Sequence, residues 1–285
     1  MSREATHMDV IEGRARWCVV EGDSLAVLPT LPDGCVDAVV TDPPYSSGGM
    51  FRGDRTKNTD SKYTSTQSLG RRPDFAGDSR DQRSFAYWCA LWLGECLRAS
   101  TQNGRAVLFS DWRQLPVATD ALQVGGWIWR GIAPWDKTSA ARPIPGGPKN
   151  QCEYAIWGSV GALPMSEAGR IVLPGFYSVE EDDADELPHV FRHAVRQDDK
   201  HHQTGKPTGL MRELVKIAPA SGIILDPFAG SGTTGVAALL EGRRAILIER
   251  VPEYAEISRQ RCEAAEQGLV TRRESQLALP GLEEA

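Results

Sequence analysis

Two short segments of this 285-residue chain combine residue types that do chemistry together. Asp42-Pro43-Pro44-Tyr45 closes the apolar run Val36-Asp37-Ala38-Val39-Val40, and Asp226-Pro227-Phe228-Ala229-Gly230-Ser231-Gly232 closes Ile223-Ile224-Leu225. In the first segment two prolines stiffen the backbone and remove two N–H donors, which leaves the Pro43 carbonyl free to accept a hydrogen bond. Asp42 supplies a second acceptor and Tyr45 a flat apolar face. Two acceptors beside a stacking ring suit an exocyclic amino group on a planar heterocycle. Taken alone, the motif is equally explained as a tight turn that ends a strand.

In the second segment Gly230 and Gly232 let the backbone bend sharply and approach a ligand closely. Ser231, Thr233 and Thr234 stand where a helix begins and offer hydroxyls or caps. A phosphate-binding loop of the Walker type needs a Lys before the Ser/Thr, and this turn has none. The run Gly230-Ser231-Gly232-Thr233-Thr234-Gly235 approaches the dinucleotide pattern, with Gly235 already inside the helix. The next strand ends in Glu249, where a carboxylate can accept both hydroxyls of a ribose. The bland alternative is a structural turn with a capping Glu.

The elements that must position these segments follow from apolar patterning. Short apolar strands are expected at Trp17–Glu21, Val36–Val40, Arg105–Ser110, Trp127–Pro134, Gln151–Gly158, Ile223–Leu225 and Ala245–Ile248. The Val36–Val40 run is too continuously apolar to be half-exposed, so it should be central and parallel. Helices are expected from Ser24 to Leu28, capped by Asp23 or Ser24, and at Phe85–Leu97, Leu115–Val124, Pro207–Ile217, Thr233–Leu240 and Pro252–Ala265. Phe85, Trp88, Cys89, Trp92, Leu93 and Cys96 recur on one face of the longest. Alternation of strand and helix implies an α/β fold: one doubly wound, mostly parallel sheet covered on both faces. In such sheets ligands bind at the carboxyl ends of the strands. A single domain over 1–267 is expected, interrupted by insertions at 46–84 and 159–202 at the ligand edge, with 268–285 as a tail.

Composition bounds the rest. Hydrophobic residues make up 41% and charged residues 25%, ordinary for a soluble globular protein. The start of the chain lacks the apolar core of a secretory signal, and no run is long enough to span a bilayer, so a cytoplasmic location without membrane contact is expected. The six cysteines are scattered without a CxxC, which points away from metal and disulfide staples; Cys89 and Cys96 read as packing residues. The net charge of −6 does not advertise nucleic-acid binding. Its distribution does more: Arg52, Arg55, Lys57, Lys62, Arg71, Arg72, Arg80 and Arg83 crowd one loop. Lys137, Arg142 and Lys149 form a second basic stretch, and Arg192, Arg196, Lys200 and Lys206 a third. Such loops on an acidic body can hold a polyanion, or can simply be solvated.

The two segments together resemble those of the S-adenosylmethionine-dependent DNA amino-methyltransferases. That family carries an (Asp/Asn/Ser)-Pro-Pro-(Tyr/Phe) catalytic motif and an Asp-x-Phe-x-Gly-x-Gly cofactor motif. Asp42 to Tyr45 and Asp226 to Gly232 match both without a substitution. The catalytic motif comes first, which is the order of the β class and implies a circularly permuted class I methyltransferase fold. His202-Gln203-Thr204-Gly205-Lys206-Pro207 resembles the His-x-x-x-Lys-Pro element that precedes the cofactor motif. Gly22-Asp23-Ser24 sits where the family contacts adenine of the cofactor, and Trp135-Asp136-Lys137 with Glu153-Tyr154 resemble its later sheet motifs.

The resemblance covers about 17 to 267 apart from the insertions. It implies S-adenosylmethionine as cofactor, bound by Asp226, Pro227, Phe228, Ala229, Gly230, Ser231, Gly232 and Thr233, with Asp42 alongside. Glu249 would hold the ribose, Asp23 the adenine, and Lys206 would sit near the methionine carboxylate. Asp42, Pro43, Pro44 and Tyr45 would receive the target base. Double-stranded DNA is the implied partner, with a homodimer and a cognate restriction nuclease as further family precedents. Asp at the head of the catalytic motif favours adenine N6 over cytosine N4 in this family. RNA or protein-glutamine methylation, an inactive DNA-binding module and a dinucleotide dehydrogenase are the rival readings. The first is disfavoured by motif order, the second by an intact catalytic motif, and the third because it leaves Asp42 to Tyr45 unexplained.

Overall fold

The computed structural model describes residues 4–44, 80–137, 146–148, 150–163, 191–192 and 206–268. Tyr45, most of both expected insertions, His202 to Gly205 and the tail lie outside the described residues.

In chain order the elements are α1 (His7–Ile11), β1 (Trp17–Glu21), α2 (Ser24–Val27), β2 (Val36–Thr41), α3 (Gln82–Ala99), β3 (Ser100–Ser110), α4 (Leu115–Val124), β4 (Ile128–Asp136), β5 (Cys152–Ser159), β6 (Phe191–Arg192), α5 (Thr208–Leu214), β7 (Ile223–Asp226), α6 (Thr233–Leu240), β8 (Arg244–Glu249) and α7 (Pro252–Glu266). The strands form one eight-stranded sheet in the order β1-β8-β7-β2-β3-β5-β4-β6. β1, β8, β7, β2 and β3 run parallel, as does the β4–β6 pair, whereas β5 runs antiparallel to both β3 and β4. The doubly wound, mostly parallel architecture expected from the sequence is therefore present.

Period-two alternation sends successive side chains to opposite faces of the sheet. On β8, Ala245 and Leu247 pack with α5, α6 and α7, while Ile246 and Ile248 pack with the opposite layer. That second layer holds Val10 of α1, the buried stripe Phe85, Cys89, Trp92, Leu93 and Cys96 of α3, and Leu122 of α4. Both faces are buried, which is why these strands read as unbroken apolar runs. Cys89 and Cys96 are buried free thiols, packing residues as expected, and no cysteine of the chain is bridged.

Several boundaries differ from expectation for local reasons. α3 starts at Gln82, inside the expected insertion 46–84, because the Asp81 carboxylate accepts from the backbone N–H groups of Arg83 and Ser84. β6 falls inside the other expected insertion, 159–202, and adds an edge pairing to β4. α1 was not anticipated; Thr6 and Asp9 form a reciprocal capping box that stabilises a helix too short for periodicity to reveal. The two ends of the described chain meet, with the Trp17 indole N–H donating to Glu266 at 2.8 Å and Arg259 facing Glu4 at 3.5 Å.

Candidate active site

β2 and β7 are hydrogen-bonded neighbours, with Ala38 opposite Ile224 and Val39 opposite Leu225. Their carboxyl ends therefore emerge side by side, and each carries one of the two segments singled out in the sequence. A buried bond ties them: the Thr41 hydroxyl donates to Asp226 Oδ1 at 2.7 Å. Asp226 also accepts from the Phe228 N–H at 3.0 Å and from the Thr234 hydroxyl at 2.5 Å. It is 2% exposed, and burial raises its pKa. Asp226 braces the turn from inside, with both carboxylate oxygens engaged by the chain's own groups.

The Gly-rich turn is held open by its surroundings. Gly232 lies at φ +80°, a left-handed conformation, and a Cβ there would meet Ser258 Oγ of α7 at 2.3 Å. Gly230, at φ +53°, donates its N–H to Glu249 Oε2 at 2.8 Å, and Val251 N–H reaches Glu249 Oε1 at 2.7 Å. The Arg250 backbone N–H also bears on this carboxylate, so Glu249 accepts three backbone donors and retains acceptor capacity for an incoming hydroxyl. Ala229 N–H donates to Ile248 O at 3.0 Å, and Ser24 Oγ donates to the Pro227 carbonyl. Gly235 is fixed by packing: a Cβ there would come within 2.5 Å of Leu247 on β8. Phe228 leans on α3, its ring centroid 5.1 Å from those of both Trp88 and Trp92, and the Arg80 guanidinium lies 4.2 Å from the Trp88 ring centroid.

Ser231 and Thr233 are pinned from beneath by Arg261 of α7. Its Nη1 donates to Ser231 O at 2.7 Å, Ser231 Oγ at 3.2 Å and Thr233 Oγ1 at 3.1 Å, and the residue is 2% exposed. Sequence reasoning passed over Arg261, although a signal was there. Tyr254, Ser258, Arg261 and Ala265 share helical spacing and are all buried, so a charged residue occupies the apolar face.

Asp23 caps α2, its Oδ1 accepting from Leu25 N–H at 3.0 Å, and Arg250 stands 3.6 Å away. It lies at the carboxyl end of β1, next to β8 and hence to Glu249. Asp42 ends β2 with Lys206 Nζ 2.5 Å from its Oδ2. The same ammonium is 3.3 Å from Glu153 Oε2, and Lys137 Nζ donates to Glu153 Oε1 at 2.9 Å. Lys206 is 5% exposed, so the third basic stretch of the sequence loses its last member as a surface phosphate contact. The ammonium is turned inward by two carboxylates and by the ring of Phe109, whose centroid is 4.9 Å away. Asp42 Oδ1 is shielded from solvent and accepts no hydrogen bond.

Burial pushes Asp42 up to about 6, with the repulsion of Glu153 adding to it and Lys206 opposing. Burial also works against charge on Glu153 and Lys206. Lys206 and Lys137 outweigh it to lower Glu153, and the two acids outweigh it to raise Lys206. Among the described residues no cluster of His, Cys, Asp and Glu suits a metal ion, and no helix is long and apolar enough to cross a membrane.

The DNA methylase family model matches residues 36–260, from the start of β2 into α7. The chain belongs to the DNA methylase family. Among similar proteins, YubD of Escherichia coli (strain K12), which carries a provisional methylase name, is 28% identical over 251 residues, 88% of this chain and 92% of YubD. The crystal structure of the M1.HpyAVI–SAM complex is 20% identical with a TM-score of 0.56, covering 86% of this chain and 98% of that one. The cytosine-N4-specific PvuII DNA methyltransferase is 18% identical with a TM-score of 0.60, covering 87% of this chain and 86% of that one. These two share the fold. For a DNA methylase the donor is S-adenosylmethionine, and the residues present fit it. The Gly-rich turn meets the Glu249 carboxylate, which retains acceptor capacity for a ribose hydroxyl, and aromatic rings back the turn.

Proposed function

We propose that this DNA methylase transfers the methyl group of S-adenosylmethionine to the N6 amino group of an adenine flipped out of double-stranded DNA. The observation that carries this reading is the bare, solvent-shielded Asp42 Oδ1, placed one strand away from the Gly-rich turn. A buried acceptor without a donor is costly. An amino group brought to it would satisfy it.

The amino nitrogen of adenine is a poor nucleophile because its lone pair is conjugated with the ring. Asp42 Oδ1 would accept one amino hydrogen and the Pro43 carbonyl the other, so that nitrogen pyramidalises as it attacks. The carboxylate stabilises the positive charge that develops there. When bound, S-adenosylmethionine would supply a methyl on a sulfonium; transfer breaks the sulfur–carbon bond as a nitrogen–carbon bond forms, and the methylated nitrogen then releases one proton to solvent. The residues of the turn from Pro227 to Thr233, braced from inside by Asp226, would hold the donor, with Glu249 on the ribose side and Asp23 on the adenine side, beside the base that Asp42 receives. A paired base cannot reach such a pocket, so it must leave the stack, with Tyr45 as the stacking partner. Asp at the head of the motif supports adenine rather than cytosine.

Asp42→Ala is expected to abolish transfer while leaving cofactor binding intact, because the residue stands on a different strand from the cofactor turn. Calorimetric titration with S-adenosylmethionine and a tritiated-methyl assay on duplex DNA check this. Near-normal turnover in the variant would remove the proposed role. Mass spectrometry of nucleosides from methylated DNA should yield N6-methyladenine; N4-methylcytosine would overturn the base assignment alone.

A further inference from the structure

We propose that Glu153 and Lys206 act as a positioning pair for Asp42, holding one carboxylate oxygen on the ammonium so that the other is presented to the target amino group. The inference rests on the reading of Asp42 as the acceptor of that group. Three observations carry it.

The first is how the oxygens are used. Lys206 engages Asp42 Oδ2 at 2.5 Å, while Oδ1 is shielded from solvent and accepts nothing. A carboxylate with both oxygens free could turn about its last torsion. One gripped by a buried cation cannot.

The second is the second carboxylate on the same cation. Glu153 Oε2 lies 3.3 Å from Lys206 Nζ, and its Oε1 takes Lys137 at 2.9 Å. Breaking a buried pair is costly because it leaves a charge uncompensated. Side-chain exposures of 4% for Lys206 and 16% for Glu153 put this pair in that regime. A Lys serving Asp42 alone would need only one acid. The second acid, anchored by its own Lys137, fixes where the ammonium stands.

The third is topology. β5 runs antiparallel to β3, so its first residues lie at the carboxyl edge of the parallel strands. Tyr154 pairs with Ser110, the last residue of β3, and Glu153 is one residue beyond. The one reversed strand in the middle of the sheet thereby delivers an acid to the ligand edge from its amino end. Lys206 arrives there immediately before α5, from the other side of the chain.

Among the described residues, the charged groups that bear on Asp42 are Lys206, Glu153 and Asp226. Only as the carboxylate does Asp42 stabilise the positive charge that develops on the amino nitrogen. Burial raises its pKa to about 6 in the free chain and so sets an acid limb, with the transfer rate at subsaturating DNA falling as pH drops through that value. Removing the cation with Lys206→Met should raise the limb, by roughly 1–3 pH units. Removing the rival acid with Glu153→Gln deletes a like charge beside Asp42, so the limb should move down. It should also release the ammonium from its second anchor, lowering kcat about tenfold or more with little change in KM for cofactor or DNA.

The experiment is single-turnover methyl transfer to a pool of unmethylated random-sequence duplex DNA, measured across pH for the full chain and both variants. Circular dichroism and thermal melting serve as the check that each variant is folded. Opposite displacements of the acid limb support the pair. Displacement in the same direction, or none, while Asp42→Ala is inactive, overturns the inference and leaves the function standing. Activity in Asp42→Ala would instead remove the function on which it rests. Should Lys206→Met fail to fold, Glu153→Gln decides by itself, an unmoved limb being the overturning result.

Discussion

At the scale of single residues, the site depends on backbone that only glycine adopts cheaply. Gly232→Ala forces an L-residue into a left-handed conformation, costing about 1–2 kcal/mol, and drives a methyl into Ser258 Oγ. We expect a lower melting temperature and weaker S-adenosylmethionine binding, checked by thermal scans and calorimetry. The double variant with Ser258→Ala should recover the part due to the hydroxyl and no more. Asp42 and the Gly-rich turn were legible in the sequence because each is a contiguous motif whose chemistry is local. Lys206 was legible as a position but not as an orientation. Its partners Asp42 and Glu153 lie far from it along the chain, and only packing reveals that they face the same ammonium.

At the scale of elements, α7 is the underside of the Gly-rich turn. Arg261→Met removes the donors to Ser231 and Thr233 while preserving most of the side chain's volume. Charge-assisted hydrogen bonds are worth more than neutral ones, so cofactor affinity should fall roughly tenfold or more. Arg261→Lys should restore part of it, while KM for DNA stays close to its original value. Titration of the cofactor against steady-state assays at saturating DNA separates the two. Most strands and helices were readable from periodicity, and the limits of α4 and α6 match the expected ones to the residue. The reversal of β5 was not legible, since strand direction leaves no trace in apolar alternation. α1 escaped for a different reason: five residues are too few for a helical period, and its stability comes from the cap.

At the scale of the whole molecule, the first strand of the chain pairs with the last, β1 beside β8, in register from Trp17 opposite Ala245 to Glu21 opposite Glu249. The indole of Trp17 reaches Glu266, and Arg259 reaches Glu4. Joining residue 268 to residue 4 through a short Gly/Ser bridge and opening the chain between Pro32 and Asp33, both exposed, should give a protein that folds and binds S-adenosylmethionine with unchanged affinity. Circular dichroism and calorimetry would show it, and loss of both would mean that the present ends do more than touch. Between Glu4 and Glu266 the described backbone returns to the place from which it set out, and linear motif order records only where that course was cut. The sheet would not register the difference: a sister enzyme opened at another point would set the same aspartate beside the same glycines.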